Sequence, residues 1–297
     1  MEFFKTVFRQ KNFMFKLGII VCLLWVIVAF IAPLIAPADP LAQNLDMRFQ
    51  PPGAAHWFGT DSLGRDVFSR VLYGSRISIT AGLITVLISF GIGLLYGGVA
   101  GYVGGIVDDV MMRFSEMIQS FPPLIRPMLL VLAVALHNIP EGLALGVVIA
   151  AAMGPSIVNS VFAMAIIWWP NYARLTRSIV ISVKENDYVT ASRLMGASRV
   201  RILFREILPN SIGPLVVMST LDLGNAILMF SGLSFLGLGV QPPTPEWGAM
   251  VSDGVATFQN WWISTFPGLA IFTVAMGANF IGDGMRDYLD PKLRQQM

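Results

Sequence analysis

Residues 171–210, "NYARLTRSIVISVKENDYVTASRLMGASRVRILFREILPN", hold seven of the 20 Lys and Arg residues of an otherwise apolar chain. Stretches able to cross a bilayer flank this polar interruption on both sides, so a cationic segment is presented between two spans. Basic residues close to spans stay on the cytoplasmic side. The segment is therefore where a membrane protein becomes accessible to a cytoplasmic partner.

Composition supports the membrane assignment. With 55% hydrophobic residues, 13% charged residues and a mean hydropathy of +0.67, a chain of 297 residues has too little polar surface for a soluble globule. Cys22, its one cysteine, lies inside the first apolar run, which excludes a disulfide framework and a thiolate metal cluster. The net charge of +2 is uninformative, but the placement of the cations is not.

Residues 1–16 contain Lys5, Arg9, Lys11 and Lys16 and read as a cytoplasmic N-terminus before a first span at 17–36. That length matches the ~20 residues needed to cross ~30 Å of hydrocarbon. A cleaved signal peptide is the competing reading of Ala36-Pro37-Ala38, although its apolar core should be only about 7 to 15 residues. The segment 37–76 is rich in Pro and Asp and balances four Arg with four Asp, as expected of an external segment folded into short amphipathic pieces. A second span is expected from about Ile77 to Ala100, with small residues that let helices approach closely in lipid. Two later spans, about Ile212 to Leu236 and Trp262 to Ile281, bracket a loop with Glu246 and Asp253 but no Lys or Arg, which reads as external. Arg286, Lys292 and Arg294 return positive charge near the C-terminus. N-terminus, central segment and C-terminus then share one face, and six spans satisfy that parity. The expected fold is an all-α integral membrane protein with about six transmembrane helices and the lipid bilayer as its surroundings; nothing points to nucleic acid.

Within the central segment, the spacing of Ser182 to Glu185 fits a capping box and predicts a short helix over Asp187 to Met195, stopping near Gly196. A second helix is expected after Ser198, with Val200, Leu203, Phe204 and Ile207 on one apolar stripe, Arg201 and Arg205 on another face, and Pro209 as its stop. Two short helices joined at a glycine make a docking knob; a solvated basic loop that only fixes topology is the alternative on spacing alone.

The stretch "YVTASRLMGASRVRILFREILPN", Tyr188 to Asn210, resembles the EAA loop of ABC importer permeases, with Gly196 and Leu208-Pro209 at the expected separation. The EAA triplet itself reads Thr190-Ala191-Ser192. "FGTDSLGRDVFSRVLYGSRISI" (58–79), "SFLGLGVQPPTPEWG" (234–248), "FPGLAIF" and "GDGMRDYLDP" are similar to the second inner-membrane subunit of dipeptide, oligopeptide and nickel importers. The resemblance implies a type I ABC importer permease fold, with residues 77–292 as the transmembrane domain, 171–210 as the cytoplasmic coupling loop and 293–297 as a tail. It also implies that Tyr188, Thr190, Ala191, Ser192, Gly196, Ala197, Arg201, Leu208 and Pro209 couple to an ATPase. Implied partners are a second permease, two ATPase subunits and an extracytoplasmic solute-binding protein. No Gly-x-x-x-x-Gly-Lys-Ser/Thr occurs, and none of the five lysines follows a glycine, so ATP belongs to a partner subunit and this chain is a transporter component rather than an enzyme.

Residues 126–144, "RPMLLVLAVALHNIPEGLA", are foreign to that pattern. Read on into "LGVV", they resemble the metal-binding fourth helix of ZIP zinc transporters, with His137, Asn138 and Glu141 matching its His-Asn-x-Pro-Glu-Gly. His and Glu at i and i+4 share a helical face and offer a nitrogen and a carboxylate to Zn2+ or another divalent ion. The only other histidine is His56, so no second half of a paired site is visible. Three readings stay open: a structural turn or inserted segment, an adventitious or designed metal site, and a metal transport site. Parity favours two tilted spans, about Met112 to Leu136 and Gly142 to Trp169, with His137 to Glu141 in the external turn between them. Charged residues inside spans usually mark function: Arg113 and Glu116, at i and i+3, are expected to pair, and Asp222, one turn from Asn225, either lines a pathway or bonds between helices.

Overall fold

The computed structural model describes residues 13–133 and 141–289, and among them the regular structure is helical. In chain order the helices are α1 (Phe13–Ile35), α2 (Val67–Val103), α3 (Gly105–Ala133), α4 (Glu141–Met153), α5 (Ile157–Val183), α6 (Asp187–Leu194), α7 (Arg199–Ile202), α8 (Leu208–Phe235), α9 (Trp247–Ala256) and α10 (Trp262–Leu289). By length and composition, four stretches of the described residues are long and apolar enough to cross a membrane: Phe13–Ile35, Val67–Val103, Arg199–Phe235 and Trp262–Asp287. Helices α3 and α5 are amphipathic, and Arg113, Glu116, Arg174 and Arg177 are among their polar residues.

The span expected over Gly142–Trp169 is two helices. Gly154 adopts φ +85°, a left-handed conformation that glycine enters without steric cost, and Pro155 has no N–H with which to continue the helix. The Asn159 amide then donates to the freed carbonyls of Met153 and Gly154 at 2.8 and 2.9 Å, so the break leaves no orphan acceptor there.

The chain divides into two compact units. The first comprises Met1–Leu83, Ala150–Val161 and Thr220–Met297. In it α1 lies along α10 so closely that a Cβ on Gly18 would fall 2.6 Å from the Gly277 carbonyl oxygen. The Trp25 indole donates to the Thr273 hydroxyl at 3.0 Å and meets the Trp247 ring edge-on at 5.0 Å. Trp247 is fully buried among Val67, Val71, Ile227 and Met250 and donates to the Val71 carbonyl at 2.9 Å. Beside this core, the segment 37–66 closes on a buried charged node in which the Asp61 carboxylate accepts from Arg65 Nε at 2.6 Å, and Asp66 meets His56 at 2.9 Å. Its charges are satisfied internally, as burial demands.

The Glu246 side chain, completely buried, caps α9: one oxygen accepts from the Ala249 N–H and the other from the Ser78 hydroxyl, each at 2.9 Å. This joins the 58–79 motif to the 234–248 motif within one unit. Burial is the dominant influence on the Glu246 carboxyl and pushes its pKa upward, opposed by the N–H groups of Gly248 and Ala249 and by the hydroxyls of Ser78 and Ser234.

The second unit comprises Ile84–Ile149 and Phe162–Ser219. Glycines on α2 let α5 approach to backbone distance: a Cβ on Gly93 would collide with Tyr172, and one on Gly97 with the Ala173 carbonyl. Small-residue faces of this kind hold helices together in lipid, where burying apolar surface gains little. The Tyr96 hydroxyl donates to the Met111 carbonyl at 2.8 Å, and Lys184 Nζ to the Gly101 carbonyl at 3.0 Å. Because α5 continues to Val183, the expected polar interruption narrows: residues 171–183 belong to a helix whose Arg177 is held by Asp108 rather than to a loop.

Candidate coupling surface

After α5 the chain turns and enters α6 at Asn186, the N-cap, whose side chain makes no capping hydrogen bond. The capping box expected from Ser182 and Glu185 does not form, since Ser182 still lies within α5. Helix α6 runs from Asp187 to Leu194, and its end is built by Gly196 at φ +82°. The Gly196 N–H donates to the Arg193 carbonyl at 3.1 Å and the Ala197 N–H to the Ser192 carbonyl at 3.1 Å, the paired closing bonds of a Schellman motif. Ser198 then caps α7, accepting from the Arg201 N–H at 3.3 Å.

Pro209 was expected to stop this second helix, but the helical path continues to Phe235. Leu203–Ile207 form a π-turn, and α8 begins directly after it at Leu208. A proline inside an α-helix loses one backbone bond and its ring presses on the preceding turn; a widened turn just before it accommodates both. The wide turn also rotates the expected stripe. Leu203 and Ile207 are buried, whereas Val200 and Phe204 are 67% and 50% exposed.

The buried side of this two-helix foot is a cluster of Val180, Val189, Ile202, Leu203, Ile207 and Leu208, with Ala197 packed against it. Of the residues expected to couple, Leu208 is therefore core, and Ser192 and Ala197 are half-buried. Tyr188, Thr190, Ala191, Gly196, Arg201 and Pro209 lie at the surface. The Tyr188 hydroxyl accepts from the Asn210 amide at 3.2 Å, which fixes the start of α6 against the start of α8. The sequence reading missed Leu194 and Met195, which are 84% and 81% exposed at the tip. Their signal was present as two large apolar residues just before a terminating glycine. Arg193, Arg199, Arg201 and Arg205 are also exposed, so the foot carries apolar and cationic side chains at its surface. Such a surface suits insertion into an apolar cleft with an acidic edge.

Of the proposed metal ligands, His137 and Asn138 lie outside the described residues, and Glu141 opens α4, its side chain likewise outside them. Among the described residues no group of three or more His, Cys, Asp and Glu is arranged to hold a metal ion.

Comparison with known proteins matches residues 89–295 to the family described as binding-protein-dependent transport system inner membrane component, and residues 2–52 to the N-terminal transmembrane domain of oligopeptide transport permease C. A probable D,D-dipeptide transport system permease protein of Escherichia coli (strain K12) is 44% identical over 274 residues, covering 92% of this chain and 86% of its own. A dipeptide transport system permease protein of Haemophilus influenzae is 38% identical over 304 residues, covering 98% and 97%. One from Bacillus subtilis (strain 168) is 40% identical over 288 residues, covering 96% and 84%. These matches give no support to the zinc-transporter resemblance of residues 126–144.

Proposed function

The chain belongs to the family of binding-protein-dependent transport system inner membrane components, and from that membership we propose that it forms half of the membrane pore of an ATP-driven importer of di- or oligopeptides. The names of the relatives favour peptides over nickel. A second permease completes the pore, a solute-binding protein delivers the peptide on the outer side, and two ATPase subunits bind ATP on the cytoplasmic side, where both termini and the α6–α7 foot lie. The observation that carries the coupling role is the foot itself. Its stem is packed into a core through Val189, Ile202 and Ile207, while Leu194 and Met195 are exposed and Arg193, Arg199, Arg201 and Arg205 are exposed on the same foot. The foot converts nucleotide-driven closure of the ATPases into movement of the helices it continues into. Zinc or another divalent ion at His137, Asn138 and Glu141 forms no part of this reading.

The test is copurification. Joint Arg201→Glu and Arg205→Glu should reduce the ATPase recovered with the membrane-inserted chain about tenfold or more, since like-charge contacts cost several kcal/mol. Undiminished ATPase recovery would overturn the assignment of the foot as the coupling element.

A further inference from the structure

Helices α3 and α5 turn polar side chains toward a shared cleft of about 450 Å³ in the second unit, lined by Asp109, Met112, Arg113, Glu116, Arg174 and Arg177. The first four recur at i, i+3, i+4 and i+7, so they form a single stripe on α3. Arg177 is committed to Asp108, and Arg174 gives one N–H to the Asn171 side-chain oxygen at 2.8 Å, leaving the rest of its fork open. The expected pairing of Arg113 with Glu116 does not occur. Among the described residues Arg113, Glu116 and Asp109 have no ion-pair partner, and all three are exposed to the cleft or its mouth. By the rise of an α-helix, Arg113 and Glu116 lie roughly 12 and 16 Å along α3 from its start at Gly105. Ionisable groups on the helices of a membrane protein are costly unless they face water or a polar partner, and where they line a polar cavity they mark solute paths.

We propose that this cleft is a stepping site for peptide in transit, in which Arg113 and Arg174 take the C-terminal carboxylate while Glu116 and Asp109 take the N-terminal ammonium. The proposal rests on the peptide-importer reading and deepens it. A guanidinium fork matches a carboxylate in geometry and charge. Opposed cationic and acidic groups in one small cavity match the two ends of a short peptide, whatever its side chains. The cleft is within the volume range of small-ligand sites, and its openness to water keeps binding weak enough for release, as a conducting path requires.

The test uses the chain with its partner subunits in lipid vesicles, carrying Cys22→Ser and Met112→Cys so that one thiol reports from the cleft wall. The ratio of labelling by an anionic thiosulfonate to labelling by a cationic one should fall about five- to tenfold with Arg113→Gln and Arg174→Gln. A dipeptide with a free carboxylate should slow labelling and its C-terminal amide should not; Arg174→Lys should retain part of the protection that Arg174→Gln loses. Failure to label, or equal protection by both peptides, would overturn the proposal. Dipeptide uptake is read in the same vesicles. Uptake without protection overturns the stepping site alone, whereas absence of uptake of any peptide overturns the importer reading and the proposal with it.

Discussion

Arg177 on α5 donates through Nε and Nη2 to the two oxygens of Asp108 on α3, the second bond measuring 2.6 Å, with the carboxylate side chain 9% exposed and the guanidinium 35%. This fork is the polar latch between two amphipathic helices. Asp108→Asn should destabilise the purified protein by roughly 1–3 kcal/mol, because it strands a partly buried guanidinium. The thermal midpoint in detergent reads this, and restoration of wild-type stability by Arg177→Lys alone would contradict a bidentate role.

Glycines on one helix should differ sharply. Gly93→Ala and Gly97→Ala would drive a methyl into Tyr172 and the Ala173 carbonyl, so each should cost about 1–3 kcal/mol or shift α5 measurably. Gly91 faces open space, and Gly91→Ala should be neutral or stabilise by up to ~1 kcal/mol through helix propensity. Equal effects at all three positions in thermal unfolding would contradict this packing.

Glu246 should make stability fall as pH rises. Its carboxyl is raised by burial, so below the ordinary glutamate value of about 4.3 both folded and unfolded chains hold the proton and no penalty arises. Above that value the unfolded chain ionises freely while the folded chain resists, and stability is lost until the folded pKa is passed. Glu246→Gln should flatten the profile above the ordinary glutamate value, because its oxygen can take the Ala249 N–H while its amide donates to a rotated Ser78 hydroxyl. An unchanged slope would show that other groups govern the profile.

Met195 offers a separation of stability from coupling. With 81% of its surface exposed, Met195→Ala should change the thermal midpoint negligibly, within about 0.5 kcal/mol. It should weaken association with the ATPase subunits about tenfold if this tip fills a pocket on them. Val189→Ala, in the buried stem, should instead lower stability, by about 1–3 kcal/mol. Titration of the ATPase against both variants distinguishes tip from stem.

The sequence exposed the α6 helix, its glycine stop and the Ser198 cap because each is a local event between neighbours in the chain. It also marked Arg113 and Glu116 of α3 as unusual. What it misjudged depended on register. The apolar stripe from Val200 to Ile207 was counted at regular helical spacing, whereas the π-turn before Pro209 rotates Val200 and Phe204 outward. Ser182 and Glu185 had capping-box spacing, but α5 had not yet ended there, for its last turns are held by core contacts at Val180 and by Lys184 bonding back to Gly101. The Arg113–Glu116 pair looked self-sufficient in sequence because nothing local indicates that α5 brings Arg174 and Arg177 to the same cleft.

The unbroken helical path from Arg199 through the wide turn to Phe235 has a mechanical corollary. A load applied at the first turn of α7 meets no slack tether in which to dissipate, so it must travel axially as through a strut about 55 Å long. Pro209 and Pro214 each delete a backbone bond from that strut, so it yields by flexing near its loaded end and not by changing length.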